Sequence, residues 1–279
     1  MVELRHQQTL RVLKPETISS NDQLSITVLD LYHDLSSILQ ESASEFCVVS
    51  SDNVLWPGRL AVAVAQHVLD EQLLCLPYVS EAIAQFRAGR EYSSDLSPYE
   101  VCADFLKGVI ISELFDEPSQ NFLAEILGGL QTEDLTEVAT KVFPSMRERS
   151  SSKVTSLLAL LASGRSLDIT ITGTAHSTIM KYTSQHLPFF VSDATGINTR
   201  INEEGRILPK VIPPGSYGRG IVDRLKSSRF KGRPLFAMAY DITDETEEVL
   251  RYALLAIVLN PDSPKLRDFA SLHPLVILV

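Results

Sequence analysis

The sequence predicts an α+β fold in which a mainly helical N-terminal part, residues 1–163, precedes a smaller α/β part, residues 164–279, with a mixed sheet. The first observation is a change in the spacing of apolar residues along the chain. Apolar residues recur at helical spacing up to Gly164, whereas Leu167–Thr172 alternates apolar and polar residues as a half-buried strand does. The second is composition, since 44% hydrophobic and 22% charged residues exclude a disordered, collagen-like or disulfide-scaffold chain. We expect one α+β domain or two domains that meet near residues 163–166.

Helix signals divide the first part into short segments. The clearest is a capping box, in which Ser97 is the cap, Pro98 takes the first helical position and Glu100 follows three residues after the cap. It predicts a helix from Pro98 to about Phe115. Apolar periodicity between capping residues and glycines predicts further helices over residues 24–39, 59–76, 117–128, 132–143 and 154–162, and Phe46–Ser50 is a short apolar run between two of them.

Strand and hairpin signals dominate the second part. Apolar runs predict strands over residues 188–191, 235–240 and 275–279, in addition to the strand that starts near residue 167. A turn at Asn202–Gly205 predicts a hairpin over residues 196–212, and a short helix is expected near residues 221–227. Thr243 or Asp244 can cap a helix with an apolar body that extends to Leu259, which we expect to be buried between layers.

Charge is distributed unevenly along the chain, whose formal net charge is −10. Residues 1–163 hold 11 Lys and Arg against 23 Asp and Glu, whereas residues 164–279 hold 14 against 12. Within the second part, Thr199–Arg233 concentrates nine basic residues against three acidic ones. We call residues 196–233 the basic arm, because the hairpin and the loop after it lie in this segment, and an anion would bind here.

The loop Pro213–Gly220, with the sequence PPGSYGRG, is the best candidate binding site. Glycines free backbone amides, and a helix N-terminus beside an arginine adds positive charge, which is what a phosphate or carboxylate requires. The predicted anion-binding residues are Gly215, Ser216, Gly218, Arg219 and Gly220. The glycine spacing matches neither GxxxxGK[ST] nor GxGxxG, so a surface loop whose glycines only form turns is the alternative.

The other basic residues of the arm form a predicted interaction surface, which consists of Arg200, Arg206, Lys210, Arg224, Lys226, Arg229, Lys231 and Arg233. Such a surface favours docking on an acidic protein, including the acidic N-terminal part of a second copy. RNA or single-stranded nucleic acid is the alternative partner, because Tyr217 and Phe230 offer rings on which bases could stack. A sequence pI near 5.1 argues against that alternative.

No segment carries a catalytic or metal-binding signature. His176, Ser177, Ser184, His186 and Asp193 lie close in sequence, but no GxSxG elbow surrounds either serine and the two histidines lack metal-ligand spacing. The strand that begins at Asp168 resembles the strand-end aspartate of haloacid-dehalogenase-type phosphatases, although Thr170 stands where the second aspartate of that pattern would be. An exposed polar strand face is the simpler interpretation. We expect no catalytic residue, no metal and no cofactor.

The cellular compartment follows from the cysteines and from the N-terminus. Cys47, Cys75 and Cys102 are an odd set without paired spacing, which indicates reduced, buried thiols. Residues 1–15 lack the apolar stretch of a signal peptide, and the longest apolar runs are too short to cross a bilayer. We expect a cytoplasmic protein that is neither secreted nor integral to a membrane.

These observations favour a non-enzymatic structural or assembly subunit that forms a homo-oligomer, or docks on an acidic partner, through the basic arm. The first alternative is a phosphate- or nucleotide-binding enzyme that uses the 213–220 loop, with Arg219 as the anion clamp and Asp168, His176 or Asp193 as acid or base. The second alternative is an RNA- or single-stranded nucleic-acid-binding protein that uses residues 199–233.

Overall fold

A computed structural model of the chain describes residues 25–26, 32–33, 35–36, 46–90, 92–111, 115–164 and 167–278. The strands are β1 (Ser25–Ile26), β2 (Phe46–Ser50), β3 (Asp168–His176), β4 (Asp193–Ile197), β5 (Thr199–Ile201), β6 (Ile207–Val211), β7 (Phe236–Ala239), β8 (Leu255–Val258) and β9 (Leu275–Leu278). The helices are α1 (Leu60–Asp70), α2 (Leu76–Gly89), α3 (Pro98–Ile111), α4 (Glu117–Glu125), α5 (Thr132–Glu148), α6 (Ser152–Gly164), α7 (Ser177–Ser184), α8 (Arg219–Ser227), α9 (Glu247–Tyr252) and α10 (Leu266–Leu272). Within the described residues, none of the helices has the length and apolar character that a bilayer crossing requires.

A parallel sheet of seven strands organises the described residues, in the order β1-β9-β8-β7-β2-β3-β4. The strand β2 lies near its centre, because Val48 pairs with Thr170 of β3 on one side and with Ala237 of β7 on the other. From β2 the chain runs through six helices to β3 and β4, and then crosses to β7 on the opposite side. The carboxyl end of β2 is therefore where the winding of the sheet reverses, which is the usual position of a ligand site in such sheets.

The two faces of the sheet are covered by different parts of the chain. Alternate residues of β2 point to opposite faces, so that Cys47 and Val49 join the core with helices α1–α7, whereas Phe46 and Val48 join the core with helices α8–α10. Aromatic contacts tie the first layer together, with Trp56 edge-on to Phe143 at 5.3 Å between ring centroids. Both faces of the central strands are thus buried, as parallel sheets require.

The predicted mixture of helices and strands is confirmed, but the predicted order of helices first and a mixed sheet second does not match the structure. The strand β2 belongs to the middle of the sheet although it lies in the predicted helical part. The large sheet is parallel, and the antiparallel pair β5–β6 is separate from it. A central strand that is buried on both faces has a continuous apolar sequence without alternation of apolar and polar residues. The spacing of its apolar residues therefore does not distinguish it from a buried helix. The division into parts at residues 163 and 164 stays a prediction.

Two further elements differ from the sequence prediction. The helix expected to extend from Thr243 to Leu259 is the short helix α9 followed by the strand β8, whose four residues are all buried. The strand expected at residues 188–191 is absent among the described residues there, and β4 begins at Asp193 instead. The helix predicted over residues 24–39 falls largely outside the described residues.

The cysteines are free thiols, as the sequence predicts. Cys47 and Cys102 are buried, and Cys75 is half-buried. Burial raises the pKa of Cys47 far above its ordinary value, with a smaller contribution from Asp168, and it raises the pKa of Cys102 to about 12. These two thiols are therefore neutral core residues, since a reactive cysteine requires a lowered pKa.

Candidate functional site

A small cavity of about 40 Å³ lies at the carboxyl ends of β2 and β7. A cavity of this size holds a water molecule or a small polar group. Carboxylates and hydroxyls from both strand ends surround it, and its lining consists of Ser50, Asp52, Asn53, Arg59, Tyr240, Asp241, Thr243, Glu245 and Thr246. The cavity occupies the position that the reversal of winding at β2 indicates for a ligand.

Asp52 is the most constrained carboxylate of the cavity. Its Oδ1 accepts hydrogen bonds from the backbone N–H of Leu60 at 3.1 Å and from the hydroxyl of Ser51 at 3.3 Å. Its Oδ2 accepts from the backbone N–H of Thr174 at 3.1 Å and from the Thr174 hydroxyl at 2.6 Å. Four bonds use the whole acceptor capacity of a carboxylate. Asp52 therefore joins the ends of β2 and β3 to the first turn of α1.

Glu245 and Arg59 form a buried ion pair beside Asp52. Arg59 Nη1 donates to Glu245 Oε2 at 2.7 Å, and Glu245 is only 7% exposed. The Arg59 guanidinium also stacks on the ring of Phe115 at 4.1 Å. Burial raises the pKa of Glu245, the charge of Arg59 opposes that rise, and the charge of Asp52 adds to it. The other N–H groups of Arg59 make no hydrogen bond within the part of the chain that the structure describes.

Asp241 and Ser50 also keep free bonding capacity among the described residues. Asp241 Oδ1 accepts from the N–H of Ile242 at 2.6 Å, and Oδ2 accepts from Asn260 Nδ2 at 3.1 Å. Half of its acceptor positions are left for a ligand. The Ser50 side chain lines the same cavity, and its hydroxyl has no partner among the described residues. Asp241 can accept a proton from water here, and Ser50 can donate a hydrogen bond.

The 213–220 loop adjoins this cavity, because the N–H of Gly218 donates to the carbonyl of Glu245 at 3.0 Å. The backbone N–H groups of Gly215, Ser216, Tyr217 and Arg219 have no partner among the described residues. The hydroxyl of Ser216, in a residue that is 4% exposed, is buried there without a hydrogen bond. Gly218 adopts a φ of +47° at the turn into α8, and a Cβ there would approach the carbonyl of Asp244 to 3.1 Å. Consecutive free amides around a turn are a common arrangement for anion binding.

Three carboxylates near the 213–220 loop are paired with cations other than Arg219. Glu245 is paired with Arg59, Asp116 with Arg90, and Asp244 with Lys265 at 2.5 Å. Arg219 is exposed at the start of α8 and has no ion pair among the described residues. The structure thus brings the predicted residues Gly215, Ser216, Gly218, Arg219 and Gly220 together in one turn next to the cavity, and their role in binding an anion stays a prediction.

Several arginines of the predicted basic arm bond to backbone carbonyls of the same chain. Arg206 donates to Gly129 O at 2.7 Å, and Arg233 donates to Tyr252 O at 2.7 Å. Arg224 donates to Gly196 O and Arg229 to Ser192 O, so both cover the outer edge of β4. An edge strand needs such protection against pairing with other chains. Lys226 lies 5.4 Å from the centre of the Tyr252 ring, whereas Arg200, Lys210 and Lys231 are exposed.

The acid or base candidates from the sequence lie away from the cavity. Asp168 and Asp193 are the first residues of β3 and β4. They therefore lie at the amino-terminal ends of the parallel strands, whereas the cavity lies at the carboxyl ends. His176 ends β3, but its Nδ1 accepts from Thr178 N–H and its Nε2 bonds to the Thr199 hydroxyl. Burial lowers the pKa of His176 to about 4, with a smaller contribution from Lys181. His176 is a structural, neutral histidine at ordinary pH.

Five residues of the cavity are not among the predicted site residues: Ser50, Asp52, Arg59, Asp241 and Glu245. A usable signal was present, because polar residues follow two apolar runs, at Ser50–Asp52 after β2 and at Asp241 after β7. The pattern compared with Asp168 above consists of two aspartates, two residues apart, at the end of a strand. This pattern fits the end of β2 better than it fits Asp168. Asp52 holds the second position there, and Ser50 stands at the first.

A divalent cation is the usual helper in phosphoryl transfer, and it requires several free oxygen ligands. Among the described residues of the cavity, Asp241 is the one carboxylate that keeps such oxygens, because the oxygens of Asp52 are used by four donors and Glu245 is paired with Arg59. Among the described residues, no group of three or more His, Cys, Asp and Glu side chains is arranged to hold a metal ion. The residues present do not fit a divalent cation.

Comparison with known proteins shows the fold. No protein-family model and no curated protein matches the chain. A solved structure of a protein of unknown function from Bordetella pertussis Tohama I covers 84% of this chain and 99% of its own, with 16% identity and a TM-score of 0.58. A functionally unknown protein from Anaerococcus prevotii has 13% identity, a TM-score of 0.54 and coverage of 85% and 86%. A HAD family hydrolase from Salmonella enterica serovar Typhi has 10% identity, a TM-score of 0.50 and coverage of 88% and 76%.

The hypothesis of a non-enzymatic, self-assembling structural subunit is wrong on this comparison. The fold is shared with a HAD family hydrolase. Four arginines of the basic arm, Arg206, Arg224, Arg229 and Arg233, also donate hydrogen bonds to backbone carbonyls of the same chain, and the role of the arm as an interaction surface stays a prediction. The alternative of a phosphate- or nucleotide-binding enzyme agrees better with the fold.

Proposed function

We propose that the chain is an enzyme that binds a phosphate monoester of a small molecule at the carboxyl ends of β2 and β7 and hydrolyses the ester. The observation that carries the proposal is the turn at Gly215–Arg219, which lies next to the cavity. Its free amides, its buried Ser216 hydroxyl and the Arg219 guanidinium have no partner among the described residues. Free N–H groups at a helix N-terminus suit a phosphate dianion. The hydrolase fold described above is consistent with this chemistry.

Different residues bind the phosphate and transfer the proton. The amides of Gly215–Tyr217 and the guanidinium of Arg219 bind the phosphate oxygens. Asp241 accepts the proton of the attacking water, because its carboxylate keeps two acceptor positions and lines the cavity. As the water oxygen bonds to phosphorus, the ester oxygen–phosphorus bond breaks, and the departing alkoxide takes a proton from solvent at the mouth of the cavity. Ser50 donates a hydrogen bond to that water or to a phosphate oxygen. The cavity of about 40 Å³ leaves the organic part of the ester outside, beside the exposed Tyr240.

A binding experiment with one variant and one matched control tests the anion site. The melting temperature of the protein is measured with a panel of sugar phosphates, nucleotides and phosphorylated amino acids, since a ligand that binds the folded state raises it. We expect the best ligand to bind Arg219→Gln about tenfold more weakly or worse, because a hydrogen bond to a charged group contributes about 1.5–3 kcal/mol. Arg200→Gln, which removes an exposed arginine of β5, should bind as the wild type does.

The proposal fails if no phosphate monoester in the panel raises the melting temperature, or if Arg219→Gln retains the wild-type affinity. An equal loss in Arg219→Gln and Arg200→Gln would also contradict it, because that result indicates a general effect of charge rather than a local anion site.

A further inference from the structure

Three carboxylates, Asp52, Asp241 and Glu245, line one small cavity at the strand ends, and the cation among them is Arg59. We propose that Arg59 is the resident cation of this cavity. Its guanidinium keeps Glu245 ionised, and it excludes a divalent metal ion that these carboxylates would otherwise bind. The proposal concerns the cavity itself and does not rest on the proposed phosphate-ester hydrolysis.

Arg59 is held in this position by three parts of the chain. Its backbone precedes α1, its Nη1 lies 2.7 Å from Glu245 Oε2, and its guanidinium lies 4.1 Å from the centre of the Phe115 ring. Glu245 in turn is 7% exposed, and a buried carboxylate requires a partner charge to stay ionised. A guanidinium with five donors can satisfy Glu245 and still present N–H groups to the cavity.

Asp52 offers no position to a competing metal ion. Two of its four donors are backbone N–H groups, of Leu60 and of Thr174, which belong to α1 and β3. A metal ion would have to displace donors that these elements hold in place. Asp241 is then the single carboxylate among the described cavity residues with free acceptor positions, and a site with one charged ligand binds a divalent cation weakly, because affinity rises with the number of charged ligands.

Electrostatics adds to the exclusion. A divalent cation at Glu245 would lie within a few ångströms of the guanidinium, and two like charges at such a distance in a buried site repel strongly. The removal of the Arg59 charge has the opposite effect, because Glu245 then becomes a buried carboxylate without a partner cation, beside Asp241 and Asp52. The variant Arg59→Gln should therefore gain affinity for a divalent cation.

The test measures binding of Mn²⁺, by the loss of its free-ion electron paramagnetic resonance signal, to the full chain without any phosphorylated ligand. We expect the wild type to bind no Mn²⁺ ion saturably and its melting temperature not to change with Mg²⁺ or with a chelator. Arg59→Gln should melt at a lower temperature, bind a single Mn²⁺ ion per chain and recover part of the lost melting temperature when the metal is added. The matched controls Arg59→Lys, which keeps the charge, and the double variant Arg59→Gln with Glu245→Gln should bind none.

Saturable binding of one Mn²⁺ ion by the wild type would overturn the proposal, and this arm does not depend on the folding of any variant. A folded Arg59→Gln protein that binds no Mn²⁺ would overturn it as well, because Arg59 would then not be the reason for the exclusion. Failure of the proposed phosphate-ester hydrolysis leaves both outcomes unchanged, so the two proposals fail separately.

Discussion

Asp52 and Asp241 show how two identical side chains at neighbouring strand ends perform different tasks. Asp52 is 6% exposed and accepts four hydrogen bonds from its own chain. Asp241 accepts two, from Ile242 and Asn260, and faces the cavity with the rest of its carboxylate. The number of bonds that the chain itself makes to a carboxylate thus separates the structural residue from the one that we propose as the general base.

This difference predicts unequal effects on stability. Asp52→Asn should lower the free energy of unfolding by about 2 kcal/mol or more, because an amide nitrogen in place of one oxygen faces fixed N–H and O–H donors. Asp241→Asn should lower it by about 1 kcal/mol or less, because its carboxylate meets fewer donors. Urea unfolding of the two variants measures both values. Equal losses would show that Asp52 does not carry the structural role assigned to it.

At the scale of elements, the sequence predicted correctly those features that are determined by residues close to one another in the chain. The capping box is present as expected, since Glu100 accepts from Ser97 N–H at 2.7 Å and Ser97 Oγ accepts from Glu100 N–H at 3.3 Å. The hairpin β5–β6 also forms around the predicted turn. The strands β2 and β8 were missed, because burial on both faces removes the alternation that marks a strand.

The connection between α4 and α5 provides a test at the scale of elements. Gly129 has a φ of +87°, and a Cβ there would lie 2.5 Å from Cys75 Cβ. Its N–H donates to Ile207 O at 2.8 Å, which attaches the hairpin to the helices. We expect Gly129→Ala to lower the free energy of unfolding by about 2–3 kcal/mol, which combines the cost of a positive φ with that of overpacking.

Gly205→Ala is the matched control for this prediction. Gly205 has a φ of +78° in the hairpin turn, but a Cβ there would meet no atom within 4 Å. Its loss should be about 1–2 kcal/mol, since only the backbone conformation is penalised. If urea unfolding gives the same loss for both variants, the close approach to Cys75 does not matter.

At the scale of the whole molecule, the site is assembled from segments far apart in sequence. Ser50–Arg59 comes from the first quarter of the chain, whereas Tyr217–Arg219 and Asp241–Glu245 come from the last quarter. Composition and local period carry no information about such pairing, so the sequence predicted the Gly215–Gly220 turn but not the cavity beside it. The carbonyl partners of the arginines in the basic arm were not predictable for the same reason, since they lie on β4, immediately before β4 and at the end of α9.

The most direct test of the central claim is the release of inorganic phosphate from a panel of phosphate monoesters, measured in the presence of a chelator for wild type and Asp241→Asn. The claim predicts that the wild type releases phosphate from at least one ester with the chelator present. It also predicts that Asp241→Asn lowers kcat by about a hundredfold or more, which is the usual contribution of a general base. No release from any ester by the wild type, or an unchanged kcat in Asp241→Asn, would contradict the account.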